Sequence, residues 1–212
     1  MIHRIFAALF LALPLMFVAT GAVKAEEFTE GKDYKLIVPP QPGGSNGKVQ
    51  VVEMFWYGCP HCYHFEPTLH KWLENEPENV EFVRVPAIFT KPVWKLHAKA
   101  YYTAEVLGVL EKFHKPFFDA LHKENKRMSS EASIREFFVG LGVEGEEFDK
   151  TFKSFAVQSK IRRAADLTQK YGITGVPAMV INGKYHTGGS MAGSNKRMME
   201  ITDALVAREA GK

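Results

Sequence analysis

The chain has 212 residues, of which 46% are hydrophobic and 24% are charged, and this is the composition of an ordinary globular protein. Its formal net charge at pH 7 is only +3, because 27 lysines and arginines face 24 acidic residues. No basic stripe stands out along the chain, so the sequence argues against a nucleic-acid-binding protein. The length allows either one large domain or two small ones.

Residues 1–25 have the pattern of a secretory signal peptide. Arg4 supplies a positive charge, an apolar stretch of about 16 residues follows, and the small residue Ala25 precedes two glutamates. A membrane anchor is the alternative, but a spanning helix needs about 20 apolar residues, and Pro14 interrupts this stretch. We therefore predict cleavage after Ala25 and export to the periplasm, a compartment in which disulfides persist.

The mature chain begins with the pattern of a βαβ unit. We predict a short edge strand at "YKLIV", followed by a loop rich in proline and glycine. The next strand is "VQVVEMFWY", which is apolar on both faces and therefore indicates an interior strand of a sheet that helices cover. Gly58 ends this strand, and it is followed by the helix "CPHCYHFEPTLHKWLEN" and the strand "VEFVRVPA".

The remaining chain contains a helical block and then a second α/β segment. Residues 93–157 show helical spacing of leucine and phenylalanine, so we predict three or four short helices, one of them opened by a serine and a glutamate in "SSEASIREF". We predict a helix at "SKIRRAADLTQKYGI", then a β-hairpin at "VPAMVINGKYH" with a two-residue Asn182–Gly183 turn. The closing helix carries Met198, Ile201 and Leu205 on one face. The predicted fold class is α/β, a small sheet interrupted by an all-α insertion.

The only two cysteines, Cys59 and Cys62, allow four interpretations. A zinc site needs about four ligands, commonly as two separated pairs, and the chain has no second cysteine pair. Covalent haem attachment requires a histidine directly after the second cysteine, where Tyr63 stands. A structural disulfide is the third interpretation, but the loop that it would close is so short that a purely stabilising bridge there would be an unusual choice. The fourth interpretation, which the sequence favours, is a redox pair that cycles between dithiol and disulfide.

The residues around Cys59 give the physical reasons for a redox pair. Cys59 stands at the start of a helix, where the first-turn N–H groups and the helix dipole stabilise a thiolate. Pro60 suits the first helical position because it has no N–H, and His61 can add a donor, and a positive charge when it is protonated. Because the thiolate is the nucleophile, we predict that Cys59 attacks and that the more buried Cys62 resolves the mixed disulfide.

The segment "FWYGCPHCYHFEP" resembles the active site of the DsbA family, the periplasmic thiol:disulfide oxidases of the thioredoxin superfamily. The similarity covers nearly the whole mature chain and includes "RVPA", "GVEGEEFD" and "GVPAMVINGKY". It implies a thioredoxin fold with an inserted all-α helical domain. On this basis we expect a cleaved signal peptide at residues 1–25, a thioredoxin-like domain at residues 26–89 and 164–212, and the helical insertion at residues 90–163.

The resemblance also implies a substrate-binding loop at Val176 and Pro177. The cis-proline of the family corresponds to Pro177, and a cis bond would leave the Val176 backbone free to pair with an extended substrate. The alternative is an ordinary trans-proline that starts the hairpin strand.

A carboxylate is also expected close to the cysteine pair. Glu53 is the acid within the apolar strand, and with Arg84 it could pass a proton to and from buried Cys62. The family commonly has lysine in place of Arg84, and since arginine stays charged, the proton transfer would belong to Glu53. The alternative is a solvated pair at the strand ends. We expect the histidines elsewhere to be ordinary surface or boundary residues, namely His64, His70, His97, His114 and His122.

We therefore expect a monomeric dithiol oxidase that donates the Cys59–Cys62 disulfide to reduced, unfolded secreted proteins. A membrane quinone reductase resembling DsbB would reoxidise it, and neither a cofactor nor a metal is expected, because the cysteines carry the electrons. The alternatives are a disulfide isomerase or reductase on the same fold and a redox-inert binding or chaperone module. Because an oxidase must hold its disulfide poorly, we also expect the reduced protein to be the more stable form at pH 7.

Overall fold

The computed structural model describes residues 27–211, so the predicted signal peptide at residues 1–25 lies outside the described part of the chain. Five strands form one mixed sheet in the order β1-β5-β4-β2-β3, in which only β2 and β3 are parallel. Their bounds are Lys35–Leu36 (β1), Val49–Phe55 (β2), Val80–Pro86 (β3), Ala178–Ile181 (β4) and Tyr185–Gly188 (β5). The parallel pair and the helix between its strands are the predicted βαβ unit.

Eight helices surround this sheet within residues 27–211. Their bounds are Pro60–Leu73 (α1), Pro92–Val106 (α2), Leu110–His122 (α3), Glu131–Gly140 (α4), Gly145–Phe152 (α5), Phe155–Lys170 (α6), Gly189–Ala192 (α7) and Asn195–Ala210 (α8). Helices α2 to α5 are the predicted helical block, whereas the short helix α7 is not predicted. No helix of the described chain has both the length and the hydrophobicity that crossing a membrane requires.

Strand β2 is an interior strand that is buried on both faces, as its sequence predicts. It lies between β4 and β3, and Val52 and Met54 point into a core shared with the helical block. Val51 points into the second core, beneath α1 and α8, where Met198, Ile201 and Leu205 are buried along one face of α8. The sheet is therefore sandwiched between helical layers. The residues that follow the carboxyl end of β2 lie where these two layers meet.

Two elements near the sheet edge differ from the prediction. Strand β1 contains only two residues, and the chain then passes through a cis bond between Val38 and Pro39, which the sequence does not predict. Since proline has no N–H to donate to a neighbouring strand, the ladder ends there. In the hairpin, Asn182 and Gly183 have positive φ angles of 50° and 65°, as such a turn requires. The register leaves three residues between the strands rather than two, because Ile181 pairs with Tyr185 while the Lys184 N–H donates to the Ile181 carbonyl oxygen over 3.0 Å.

Two helix starts also differ from the prediction. The Ser130 hydroxyl accepts from the Ser133 N–H at the start of α4, and the Ser133 hydroxyl accepts from the Ser130 N–H. The reciprocal partner is therefore a serine rather than the predicted glutamate, since Ser133 is the residue three positions after the cap. Helix α6 begins at Phe155, after a cap at Ser154, and runs without a break past residues 163 and 164. The domain boundary expected there lies within a helix, and the domain limits stay a prediction.

Candidate active site

The cysteine pair lies where strand β2 leads into helix α1. Cys59 directly precedes the helix, with extended backbone angles (φ −91°, ψ 117°), and Pro60 is the first helical residue. Both cysteines are free thiols, Cys59 with 8% of its surface exposed and Cys62 with none. Only the Cys59 sulfur is therefore open to a second molecule, because Cys62 belongs to the first turn of the helix and its side chain is buried.

The two thiols have opposite electrostatic surroundings. The largest influence on the pKa of Cys59 is a hydrogen bond from the Cys62 thiol, which lowers it. Burial raises this pKa, but the backbone N–H groups of Cys62 and His61 and the charge of His61 lower it further. The pKa of Cys59 falls to about 6 as a result. Burial raises the pKa of Cys62 well above its usual value, and its hydrogen bond to Cys59 acts in the same direction. At pH 7 Cys59 is thus mostly a thiolate beside a neutral Cys62.

The loop before strand β4 lies against Cys59. The Val176–Pro177 peptide bond is cis, and the Cys59 thiol donates a hydrogen bond to the Val176 carbonyl oxygen over 3.4 Å. A groove of about 540 Å³ begins here, and His61, Val176, Pro177 and Met191 are among its lining residues. The structure thus brings together the cysteine pair, His61 and the predicted loop at Val176 and Pro177, although Pro177 stands 115 residues after Cys62 in the sequence.

An aromatic cluster lies beside the segment that leads to Cys59. Trp56 stacks on Trp94 with ring centroids 4.0 Å apart and an interplanar angle of 19°. The Phe89 ring packs against Trp94 in a T-shaped arrangement. Gly58 allows the Trp56 ring to approach, because a side chain at this position would overlap the indole. The glycine that was expected only to end the strand therefore also makes room for this packing.

Glu53 and Arg84 form a buried, hydrogen-bonded pair. The parallel register of β2 and β3 sets them side by side, and Arg84 donates from Nε to Glu53 Oε2 over 2.9 Å. Glu53 is fully buried, so the pair is not the solvated one considered as the alternative. Burial raises the pKa of Glu53 to about 8, although the charge of Arg84 opposes the rise. Glu53 therefore holds a proton for most of the time at pH 7.

Three residues that the sequence did not predict extend the polar network from Glu53 and Arg84. Arg84 also reaches Glu66 on α1, Glu66 binds His114 on α3 over 3.3 Å, and His114 Nδ1 lies 2.7 Å from the Tyr57 hydroxyl. Glu66 had a local signal, because it follows Cys62 by four residues and shares its helix face. His114 had none, since it stands 48 residues further along the chain from Glu66.

The expectation for the histidines is wrong at two positions. His97 and His114 are buried, at 2% and 8% exposure, because each fits among aromatic rings contributed by separate elements. His122 lies at the boundary as expected, yet its Nε2 binds the Tyr57 carbonyl oxygen over 2.7 Å and its ring stacks on Tyr63. Within residues 27–211, no group of three or more histidine, cysteine or acidic side chains is arranged to hold a metal ion.

The fold and the cysteine pair together define a class of protein. A Cys-X-X-Cys pair with one activated and one buried thiol, at the start of a helix in a thioredoxin-type sheet, is the site of a thiol:disulfide oxidoreductase. A family model described as "DSBA-like thioredoxin domain" matches residues 83–206.

Named relatives resemble the chain along most of its length. The thiol:disulfide interchange protein DsbA of Pseudomonas aeruginosa (strain PAO1) is 41% identical over 188 residues, which are 89% of each chain. The DsbA of Burkholderia cepacia is 35% identical over 212 residues, or 99% of this chain and 98% of that protein. The chain belongs to the DSBA-like thioredoxin family.

Solved structures agree with the fold. The crystal structure of Pseudomonas aeruginosa DsbA has a TM-score of 0.82 at 41% identity and covers 87% of this chain and 95% of its own. The oxidoreductase DsbA of Xylella fastidiosa has a TM-score of 0.80 at 34% identity and covers 86% and 97%. These likenesses confirm the predicted thioredoxin fold with its inserted helical block.

Replacing Cys62 by serine should trap a mixed disulfide. The Cys59 thiolate attacks a disulfide that joins two separate peptides, one peptide leaves as a thiol, and without Cys62 no second thiol of the protein resolves the product. We expect the reduced Cys62→Ser protein to accumulate a covalent adduct with one half of a disulfide-linked peptide dimer, as read by mass spectrometry without reductant. Cys59→Ser is the matched control and should form little adduct, because the remaining thiol is buried and protonated. Adduct in Cys59→Ser alone would reverse the assignment.

Replacing His61 by alanine or proline should make the protein a weaker oxidant. His61 helps to lower the pKa of Cys59 through its backbone N–H and its charge. Alanine removes the charge and keeps the N–H, whereas proline removes both, so each replacement destabilises the thiolate of the reduced form. Each unit by which the Cys59 pKa rises lowers the potential by roughly 30 mV at a pH above both values. Equilibration with glutathione measures the change, and His64→Ala, at an exposed position on the same helix, is the control. An unchanged potential in His61→Ala would show that His61 does not tune the thiolate.

Proposed function

We propose that the chain is a monomeric dithiol oxidase of the periplasm, which donates the Cys59–Cys62 disulfide to reduced, unfolded secreted proteins. A DsbB-like membrane quinone reductase then reoxidises the pair. The signal-peptide pattern of residues 1–25 supports export. The family, whose named relatives are thiol:disulfide interchange proteins, supports the exchange chemistry.

The observation that carries the proposal is the difference between the two thiols. Reduction of the disulfide creates a Cys59 thiolate that hydrogen bonds stabilise, with a pKa of about 6. A pair whose reduced form is stabilised in this way accepts electrons readily, which is the property of an oxidase rather than of a reductase. Cys62 stays neutral in the same state, because burial raises its pKa.

The exchange takes place in two steps. A substrate thiolate attacks Cys59 Sγ, a substrate–Cys59 disulfide forms, and the Cys59–Cys62 bond breaks with its electron pair passing to Cys62 Sγ, which takes up one proton. A second substrate thiolate then attacks the substrate sulfur of this mixed disulfide, and Cys59 leaves as a thiolate. Two electrons pass from the substrate to the protein, and the low pKa of Cys59 makes it a good leaving group in the second step.

Glu53 supplies the proton that Cys62 takes up. Its raised pKa of about 8 means that it holds a proton at pH 7, and it lies near enough to Cys62 to raise that thiol's pKa through its charge. A water molecule between them can carry the proton. Arg84 cannot exchange a proton itself, and its role is to hold the Glu53 carboxyl in place over 2.9 Å.

Val176 and Pro177 supply the backbone that holds the substrate. The Val176 carbonyl accepts a hydrogen bond from the Cys59 thiol, and a thiolate or a disulfide at Cys59 has no proton to give it. In those states the carbonyl can accept from a substrate N–H, as when an extended peptide pairs with an exposed strand. The groove beside it has room for the flanking substrate residues.

The oxidised protein should transfer its disulfide to a peptide that contains two thiols. We expect one peptide disulfide per protein molecule, and a Cys59–Cys62 potential less negative than that of glutathione, because the reduced form is stabilised. Mass spectrometry of the peptide measures the first and equilibration with glutathione the second, with Cys59→Ser as the inactive control. A potential near about −270 mV, the value for thioredoxin, would identify a reductase instead.

The relative stability of the reduced and oxidised forms should reverse with pH. The disulfide closes a loop of about four residues and favours the oxidised form by about 2 kcal/mol. A folded Cys59 pKa of about 6 favours the reduced form by about 1.4 kcal/mol at pH 7, relative to an unfolded thiol of about 8.5. The two forms should therefore be nearly equal in stability at pH 7, whereas the sequence led us to expect the reduced form to be the more stable one at this pH.

Because the folded pKa of Cys59 is depressed, its contribution is complete above the unfolded pKa and is lost as the pH falls through about 6. We expect the oxidised form to lead at pH 4 by about 2 kcal/mol. The lead should pass to the reduced form between about pH 7 and pH 8. Urea melts of both forms at pH 4, 7 and 8 measure the crossing. A lead for the oxidised form that does not change with pH would contradict a stabilised Cys59 thiolate.

A further inference from the structure

Two buried carboxylates share one arginine beneath the redox helix. Arg84 donates to Glu53 Oε2 over 2.9 Å and to Glu66 Oε2 over 3.4 Å. One positive charge does not balance two carboxylates where Glu53 is fully buried and the Glu66 side chain is only 20% exposed. One of the two therefore carries a proton for much of the time, and the other donors around them decide which one.

Helix α3 supplies such a donor in His114. Its Nδ1 lies 2.7 Å from the Tyr57 hydroxyl, and its Nε2 lies 3.3 Å from Glu66 Oε1. An ionised Glu66 can only accept a hydrogen bond, so the ring proton of His114 lies on Nε2 and points at Glu66. Nδ1 is then the acceptor for the Tyr57 hydroxyl, which keeps its proton because burial raises its pKa well above the usual value. A neutral His114 thus gives Tyr57, its own ring nitrogens and Glu66 each a hydrogen-bond partner. Burial lowers the pKa of His114, which agrees with a neutral ring.

We propose that His114 is a positioning residue, which localises the negative charge on Glu66 and thereby leaves the exchangeable proton on Glu53. Glu53 Oε1 has no hydrogen-bond partner among residues 27–211, so this oxygen is free to carry the proton. The inference rests on the proposed function, because it names the residue that keeps the proton donor of Cys62 loaded.

The two carboxyl groups differ in the direction that this arrangement requires. Burial raises the pKa of Glu53 to about 8. Burial acts on Glu66 in the same sense, but the hydrogen bond from His114 and the charge of Arg84 act against it, and the pKa of Glu66 is lowered. The proton therefore belongs to Glu53, although the two glutamates share the same arginine.

Other titratable groups face this pair from every element packed around it. They are Cys62 and His70 on α1, Tyr57 after β2, Arg84 on β3, Tyr101 on α2 and Glu111 on α3. His70 is 74% exposed and pairs within its own helix, and the Tyr101 hydroxyl donates to the Arg84 carbonyl over 3.5 Å. Among the residues the structure describes, His114 is the neutral side chain that donates to Glu66 Oε1.

The test is a titration of both carboxyl groups in the reduced protein by carbon NMR. The side-chain carboxyl carbons of glutamate are ¹³C-labelled, and Glu53→Gln and Glu66→Gln assign the two signals. In His114→Phe, Glu66 loses the donor to its Oε1 and keeps only Arg84, so the midpoint of its titration should rise. The midpoint of Glu53 should fall, because Glu66 is then neutral over a wider pH range. The gap between the midpoints should narrow by roughly one pH unit. His114→Gln keeps an N–H donor and should retain most of the gap.

His97→Phe is the matched control for removal of a buried histidine. His97 lies in the same helical block, but its Nε2 binds the Met128 carbonyl oxygen over 2.9 Å and contacts neither carboxylate. Its replacement should leave the gap unchanged. Tyr57→Phe is a second test that does not depend on the folding of His114→Phe. It removes the donor that fixes the His114 tautomer and should narrow the gap in the same direction by a smaller amount.

An unchanged gap in His114→Phe and Tyr57→Phe would overturn the proposal, and so would an equal narrowing in His97→Phe. The proposed relay is tested separately by the pH profile of disulfide reduction by a reduced peptide. If the gap narrows in His114→Phe and this profile moves with it, both ideas are supported. If the gap narrows and the profile does not move, His114 positions the charge as proposed, but Glu53 does not supply the proton to Cys62.

Discussion

The hydrogen bond from Cys62 to Cys59, across the first turn of helix α1, is the interaction on which the site depends. It requires a donor that stays a thiol and an acceptor that becomes a thiolate, so one sulfur must be buried and the other must meet N–H groups. Placing Cys59 just before the helix and Cys62 inside it achieves both. A disulfide between the same two sulfurs loses this hydrogen bond, and this loss offsets much of the stability that the short disulfide loop gives to the oxidised form at pH 7.

The sheet supports this arrangement from below. Strand β2 ends four residues before Cys59, and its parallel register with β3 sets Arg84 beside Glu53 under helix α1. An ionised carboxylate this deep would be costly without a partner, and an arginine shared with a second carboxylate compensates it only in part. The raised pKa of Glu53 follows from its burial and from that incomplete compensation.

Local patterns were enough to predict most of the fold, because each element agrees with its own sequence. The interior strand β2, the four helices of the insertion and the turn at Asn182 and Gly183 all follow from periodicity or from turn chemistry. The pairing of Cys59 with Cys62 also follows from a spacing of one helical turn. The bond between Glu66 and His114 could not be predicted this way, because it joins α1 to α3 and depends on how the insertion packs.

Helix α3 supplies several of the contacts that the sequence did not predict. His114 holds the Tyr57 hydroxyl, His122 holds the Tyr57 carbonyl, and Asp119 accepts from Tyr63, the residue after Cys62. Tyr57 stands two residues before Cys59, so both flanks of the cysteine pair are held by one helix of the insertion. A helical block that only widened the substrate surface would not need polar contacts at these positions. Through these contacts the insertion reaches the residues on either side of the redox pair, and through His114 it also reaches Glu66 beneath it.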